Sequence, residues 1–74
     1  MYFVYILKST LFHKTYVGIT DNLTRRLTQH NNGLHTYTKR YLPWEYIYTE
    51  EIADRPDARK REKYFKSSSG RRWI

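Results

Sequence analysis

Two stretches near the start of the chain, Phe3-Val4-Tyr5-Ile6-Leu7 and Thr15-Tyr16-Val17-Gly18, decide how the remainder is read. Both are apolar and rich in β-branched and aromatic residues, and a polar gap of loop length separates them. That combination reads as a β-hairpin. Side chains alternate along a strand, so Tyr5 shares a face with Phe3 and Leu7, and Tyr16 shares one with Gly18. If the two tyrosines pair across the hairpin, two phenols stand side by side above a residue with no side chain to block approach.

Working outward, the strands are expected at 2–8 and 15–19, joined by a loop whose Leu11 and Phe12 fold back over the core. Thr20 or Asp21 can cap a helix by accepting from its free N–H groups. Leu23 and Leu27 lie one turn apart and mark its buried stripe, which Leu34 extends if the chain turns back. Asn31-Asn32-Gly33 stops the helix, because Asn and Gly tolerate the left-handed conformation. From Leu34 to Pro43 no period is visible. The segment is either an ordinary surface loop or a stretch that tracks a nucleic-acid backbone, its cations on phosphates and its rings stacked on bases.

A third strand is expected at 44–50, with Trp44, Tyr46 and Tyr48 on one face. Asp54 and Asp57 form a capping arrangement that opens a second helix, in which Pro56 is tolerated in the first turn. This helix runs to about Lys66 and is ended by Ser67-Ser68-Ser69-Gly70. Trp73 and Ile74 are expected to dock on the core, leaving Arg71 and Arg72 exposed. The order is β-β-α-β-α, an α+β fold in which helices flank a three-stranded antiparallel or mixed sheet. All 74 residues form one domain.

A domain of this size buries only about 60% of the surface its unfolded chain exposes. Eight Tyr, three Phe and two Trp compensate with large buried areas on few rotatable bonds. The absence of Cys excludes a disulfide scaffold and a thiolate zinc site. His13, His30 and His35 are not spaced as helical metal pairs. The net charge of +7 does not favour folding and points to a polyanionic partner, nucleic acid before membrane. The apolar first residues lack a basic leader and are far too short to span a bilayer, so a cytoplasmic protein is expected.

Chemistry is suggested at three places besides the hairpin. Glu62 interrupts a helix otherwise rich in Arg and Lys and shares a face with Ala58 and Phe65, where a lone carboxylate needs a partner or a cation. An intrahelical pair with Lys66 or Arg59 would satisfy it; so would a metal. Arg26 and His30, one turn apart, suit phosphate binding and proton movement near neutral pH. Arg25, Lys39, Arg40, Arg59, Arg61, Lys63 and Arg71 are the candidate nucleic-acid contacts.

Tyr5 in Val4-Tyr5-Ile6 and Tyr16 in Tyr16-Val17-Gly18, eleven apart, resemble the two halves of the GIY-YIG nuclease motif. Asn22-Leu23, Arg26-Leu27 and His30-Asn31 resemble the segment just after that motif in the family, and Ala58-Arg59-Lys60-Arg61-Glu62-Lys63 resembles its glutamate-bearing helix. Phe3 stands at the family's first glycine, Val17 at its usual isoleucine and Ile19 where some members carry lysine. The resemblance implies an endonuclease that hydrolyses DNA, structured or branched DNA included, in repair or recombination. It also implies that Glu62 holds one Mg²⁺ or Mn²⁺, that Arg26 neutralises the scissile phosphate, and that Tyr5 and Tyr16, with His30, line the nucleophile side. A phenol is a poor base unless neighbouring cations lower its pKa, and this chain has many cations. The rival readings are a binding module that keeps the fold without cleaving, and a subunit that needs a protein partner for targeting.

Overall fold

A computed structural model describes residues 1–67, so the expected docking of Trp73 and Ile74 and the placement of Arg71 lie outside the described residues. The elements are β1 (Tyr2–Ser9), β2 (Thr15–Thr20), α1 (Leu23–Asn31), α2 (Thr36–Lys39), β3 (Trp44–Ile52) and α3 (Arg55–Lys66). The sheet is antiparallel throughout, in the order β2-β1-β3. Val4, Tyr5, Ile6 and Leu7 are all buried because β1 is central and both faces of the sheet are covered. On one face Val4, Ile6 and Val17 pack with Ala58 and Phe65 of α3. On the other, Tyr5, Leu7 and Trp44 pack with Leu23 and Leu27 of α1.

The hairpin forms as the sequence predicts, but the tyrosines are not directly opposed. Tyr5 pairs with Gly18 and Leu7 with Tyr16, so the phenols are diagonal neighbours on one face. The third strand departs further. Ile6 pairs with Tyr48 and Leu7 with Tyr46, which leaves Ile47 as an extra, bulged residue. A one-residue bulge reverses the alternation beyond it. Trp44 and Tyr46 therefore pack on the Tyr5 face, whereas Tyr48 packs on the α3 face, contrary to the expectation that all three share a side.

Local corrections have local causes. Neither Thr20 nor Asp21 caps α1: Asn22 does, its Oδ1 accepting from the Arg25 N–H at 2.9 Å. The Thr20 hydroxyl instead accepts from the Asn22 N–H, and Asp21 pairs with the Arg25 side chain. Leu11 and Leu34 do not join the core; they are exposed, on a tight turn capped by the Ser9 hydroxyl and beyond the α1 stop at Gly33 (φ 75°). Phe12 only leans its ring edge on Tyr41. The segment expected to be irregular contains the single-turn helix α2, which tertiary contacts rather than periodicity hold in place. Trp44 Nε1 donates to the Thr38 carbonyl at 2.7 Å, and the Asn31 amide bonds both the N–H and the C=O of Trp44. The cap of α3 is as expected, with Asp54 accepting from the Asp57 N–H. No helix among the described residues is long and apolar enough to cross a membrane.

Candidate active site

The Tyr5 face of the sheet collects the polar groups that the sequence scattered. Tyr5 lies on the central strand at 2% exposure, its ring 6.3 Å from that of Tyr16 and edge-on to Tyr46 at 5.5 Å. Gly18 is required beneath it, because a Cβ there would stand 2.5 Å from the Tyr5 hydroxyl. The Tyr5 hydroxyl is 2.9 Å from His30 Nε2, and His30 Nδ1 is 2.9 Å from the Thr38 hydroxyl. His30 is wholly buried. His35 stacks on it with ring centroids 4.3 Å apart.

Arg26 reaches the same cluster from α1. Its Nη1 is 3.3 Å from His35 Nε2, which must accept because a guanidinium only donates. Its Nε is buried with no partner among the described residues. Arg26 and Arg55 also line one cavity of about 160 Å³ beside Thr20 and Asp21. A half-buried guanidinium with an unused donor is suited to an anion arriving from outside.

Glu62 comes from the opposite layer and is linked to the tyrosines through its ion-pair partner. Its side chain is 16% exposed and pairs with Lys66 Nζ at 3.3 Å, one of the two partners that the helical spacing allows. That ammonium sits 5.8 Å from the centre of the Tyr16 ring. The Glu62 charge is felt at Tyr5, where it contributes to raising the phenol's pKa. Among the described residues Glu62 belongs to no group of three or more histidine and carboxylate side chains that could hold a metal ion. A hard cation held by one carboxylate, with waters and substrate oxygens completing its shell, fits this donor set. The Lys66 ammonium already marks the carboxylate as a place for positive charge.

The electrostatics correct one expectation about the phenols. Cations do not lower the Tyr5 pKa: burial raises it strongly, Tyr16 adds to the rise, and Arg26 opposes without prevailing. Tyr46 is pushed up to about 12, again chiefly by burial and against Arg26. His30 is pushed down to about 4 by burial, then by the neighbouring His35 and Arg26. Tyr5 and His30 are thus held as a neutral hydrogen-bonded pair. The Tyr16 hydroxyl makes no hydrogen bond among the described residues and is half-buried on the edge strand.

The candidate nucleic-acid contacts divide. Lys39, Arg40, Arg59 and Lys63 are exposed. Arg25 is tied to Asp21 at 2.6 Å. Arg61 belongs elsewhere: it is bound to Glu50 at 2.8 Å and lies over the Phe65 ring, facing β3 while Glu62 faces β2. Adjacent helical residues diverge by about 100°, so the two cannot share a wall. The sequence reading missed Tyr46, His35, Thr38 and Arg55. Tyr46 was signalled by its alternation with Trp44, but His35 and Thr38 sit in a segment with no period to assign them a face. An open groove of about 970 Å³ beside Tyr16, lined among others by Lys8, His13, Lys14, Tyr37 and Lys66, adds cations and rings next to the cluster.

Comparison with known proteins matches residues 1–73 to the model of the GIY-YIG catalytic domain. A UPF0213 protein of Desulfotalea psychrophila is 40% identical over 92% of this chain and 63% of its own length. One from Clostridium perfringens is 39% identical over 89% of this chain and 71% of its own length. The structure-specific endonuclease subunit SLX1 of Chaetomium globosum is 45% identical over 64% of this chain, which corresponds to only 16% of that protein. The chain thus spans about two thirds of the bacterial relatives and a small part of the fungal one. No solved structure matches.

Proposed function

This chain belongs to the GIY-YIG catalytic-domain family, and on that premise we propose that it is a metal-dependent endonuclease that hydrolyses DNA phosphodiesters. The observation that carries the reading is convergence. Tyr5 from β1, Tyr16 from β2 and His30 from α1 lie together, Arg26 of α1 joins them through His35, and Glu62 of α3 lies near Tyr16 through its Lys66 partner, although these residues span most of the sequence. Hydrolysis forms a bond from a water oxygen to phosphorus, breaks the bond from phosphorus to the leaving oxygen, and in sum moves one proton from the water to that leaving oxygen. Arg26, with its unused buried donor, neutralises the phosphate. Tyr16, whose hydroxyl is free of described partners, faces the nucleophile. Glu62 would hold Mg²⁺ or Mn²⁺ in place of its Lys66 partner. Bound there, a divalent cation supplies Lewis-acid stabilisation of the leaving oxyanion. The structure-specific endonuclease subunits among the relatives support a structured DNA, branched DNA included, as substrate and a partner subunit that supplies targeting; a repair or recombination role belongs to the same proposal.

The test is cleavage of plasmid and branched DNA with Mg²⁺ or Mn²⁺. Activity should disappear with chelator and in Glu62→Ala. One observation favours a second reading, a binding module: the Glu62 carboxylate is already paired with Lys66. That reading predicts salt-sensitive DNA affinity indifferent to chelator and to Glu62→Ala, with no cleavage by wild type.

A further inference from the structure

The open groove beside Tyr16 has a volume of about 970 Å³, at the upper end of the range for ligand sites, and no step of the nuclease reading uses it. Lys8, Lys14 and Lys66 line it, and no carboxylate does. Lys66 is held by Glu62, but Lys8 and Lys14 are exposed and belong to none of the ion pairs among the described residues. Lysines alone suit any polyanion. Tyr37 narrows the choice. Its side chain lines the same groove at 45% exposure, and its ring is braced by those of Tyr41 at 5.4 Å, Tyr16 at 6.0 Å and Trp44 at 6.4 Å. The Lys14 ammonium stands 5.3 Å from the centre of the Tyr41 ring, next in that band. A ring already pinned by other rings, yet open to a cationic groove, offers a stacking surface at little further cost in side-chain entropy.

The faces of a paired base are covered by its neighbours in the duplex, so a tyrosine stacks only on a base that is unpaired or splayed out. Lysines make no such distinction, because they meet phosphate charge in either form. We propose that the groove binds an unpaired segment of DNA: a base stacks on the Tyr37 ring, the phosphates beside it lie against Lys8 and Lys14, and the strand leads to Tyr16. This assigns a task to the segment from Leu34 to Pro43, whose charges alone do not define one. Tyr37 lines the groove, whereas Lys39 and Arg40 do not. The inference rests on the nuclease reading, since it names the part of a structured DNA that reaches the open edge strand β2.

Binding is measured by fluorescence anisotropy on the full chain, in chelator so that no strand is cut, with a labelled oligothymidylate and with a duplex of the same length. Tyr37→Ala should weaken single-strand binding about five- to hundredfold, the usual range for one stacked base, and change duplex binding by less than about twofold. Tyr37→Phe should match wild type, since stacking uses the ring and not the hydroxyl. Lys14→Gln should lower the salt slope of single-strand binding by about 0.7, whereas Tyr37→Ala should leave the slope unchanged. A deoxyribose-phosphate strand without bases should bind wild type as weakly as oligothymidylate binds Tyr37→Ala. The proposal is overturned if Tyr37→Ala holds the single strand as well as wild type does, or loses duplex affinity to the same extent. If Tyr37→Ala does not fold, the base-free strand decides on wild type, where an affinity equal to that for oligothymidylate overturns the proposal. A wild type that cuts neither plasmid nor branched DNA with Mg²⁺ or Mn²⁺ overturns the nuclease reading, while these binding measurements, made without cleavage, still judge the groove.

Discussion

Gly18→Ala tests the packing on which the site is built. Gly18 has no positive φ, so alanine meets no backbone strain and would by itself favour folding slightly through reduced chain entropy, by about 0.4–1 kcal/mol. The steric effect has the opposite sign. The new Cβ would lie 2.5 Å from the Tyr5 hydroxyl, 2.6 Å from Tyr5 Cζ and 3.1 Å from Tyr16 Cε2. Tyr5 cannot swing away, since it is bonded to His30 and braced by Tyr46. Overpacking of this kind costs about 1–3 kcal/mol, and displacing the Tyr5–His30 hydrogen bond adds about 1 kcal/mol. The net loss is therefore roughly 1–3.5 kcal/mol, or a fall in Tm of about 5–25 °C for a domain this small. Urea unfolding followed by tryptophan fluorescence measures it. The control is the same change in a Tyr5→Ala background, where the Cβ has space and alanine should be neutral or better. A loss below about 0.5 kcal/mol, or an equal loss in both backgrounds, refutes the claim that Tyr5 occupies the space above Gly18.

The same cluster and its surroundings give three further expected outcomes. His30 has a folded pKa of about 4 against an unfolded value near 6.5, so its contribution to stability is complete above pH 6.5 and is lost as pH falls toward 4. Wild type should lose about 3 kcal/mol more than His30→Gln across that window, and parallel unfolding curves would contradict it. Asn31→Ala removes both bonds to the Trp44 backbone, at 2.7 and 3.2 Å, and should cost about 2 kcal/mol in denaturant melts. Arg59→Ala should lower the salt slope of DNA binding by about one, whereas Arg61→Ala, whose charge is engaged by Glu50, should leave it unchanged. Equal effects on the slope would return Arg61 to the DNA-binding face.

The hairpin, the two longer helices and the third strand were legible because each carries a period or a cap. Apolar runs rich in β-branched and aromatic residues marked β1 and β2, Asp54 marked the start of α3, and Gly33 the end of α1. The bulge at Ile47 was not legible, since Trp44-Glu45-Tyr46-Ile47-Tyr48 alternates without a break and only the register with β1 shows the extra residue. For the same reason Tyr46 could not be separated from Tyr48. The helix α2 was hidden because four residues cannot display a 3.6-residue period, and because its anchor, Trp44 Nε1 on the Thr38 carbonyl, is a contact across the fold. Glu62 stood out from its basic helix, but its proximity to Tyr16 depends on α3 packing over β2, which no local signal encodes.

The difference between the two phenols arises from strand order rather than from residue type. Tyr5 lies on β1, the middle strand, where Gly18 on one side and Tyr46 on the other shield it from bulk water. Losing bulk solvent disfavours the phenolate more than Arg26 can favour it, so the proton stays on and must be donated somewhere. His30, desolvated by the same enclosure, stays neutral and is the acceptor on hand. Tyr16 lies on β2, an edge strand, beside the Lys66–Glu62 pair and the open groove. Exchanging the order of β1 and β2 would exchange the surroundings of the two rings while leaving the sequence motif intact. A tyrosine at the position of Tyr5 is thus a fixed, protonated donor by virtue of a central strand, and the site gains its asymmetry from a sheet of only three strands.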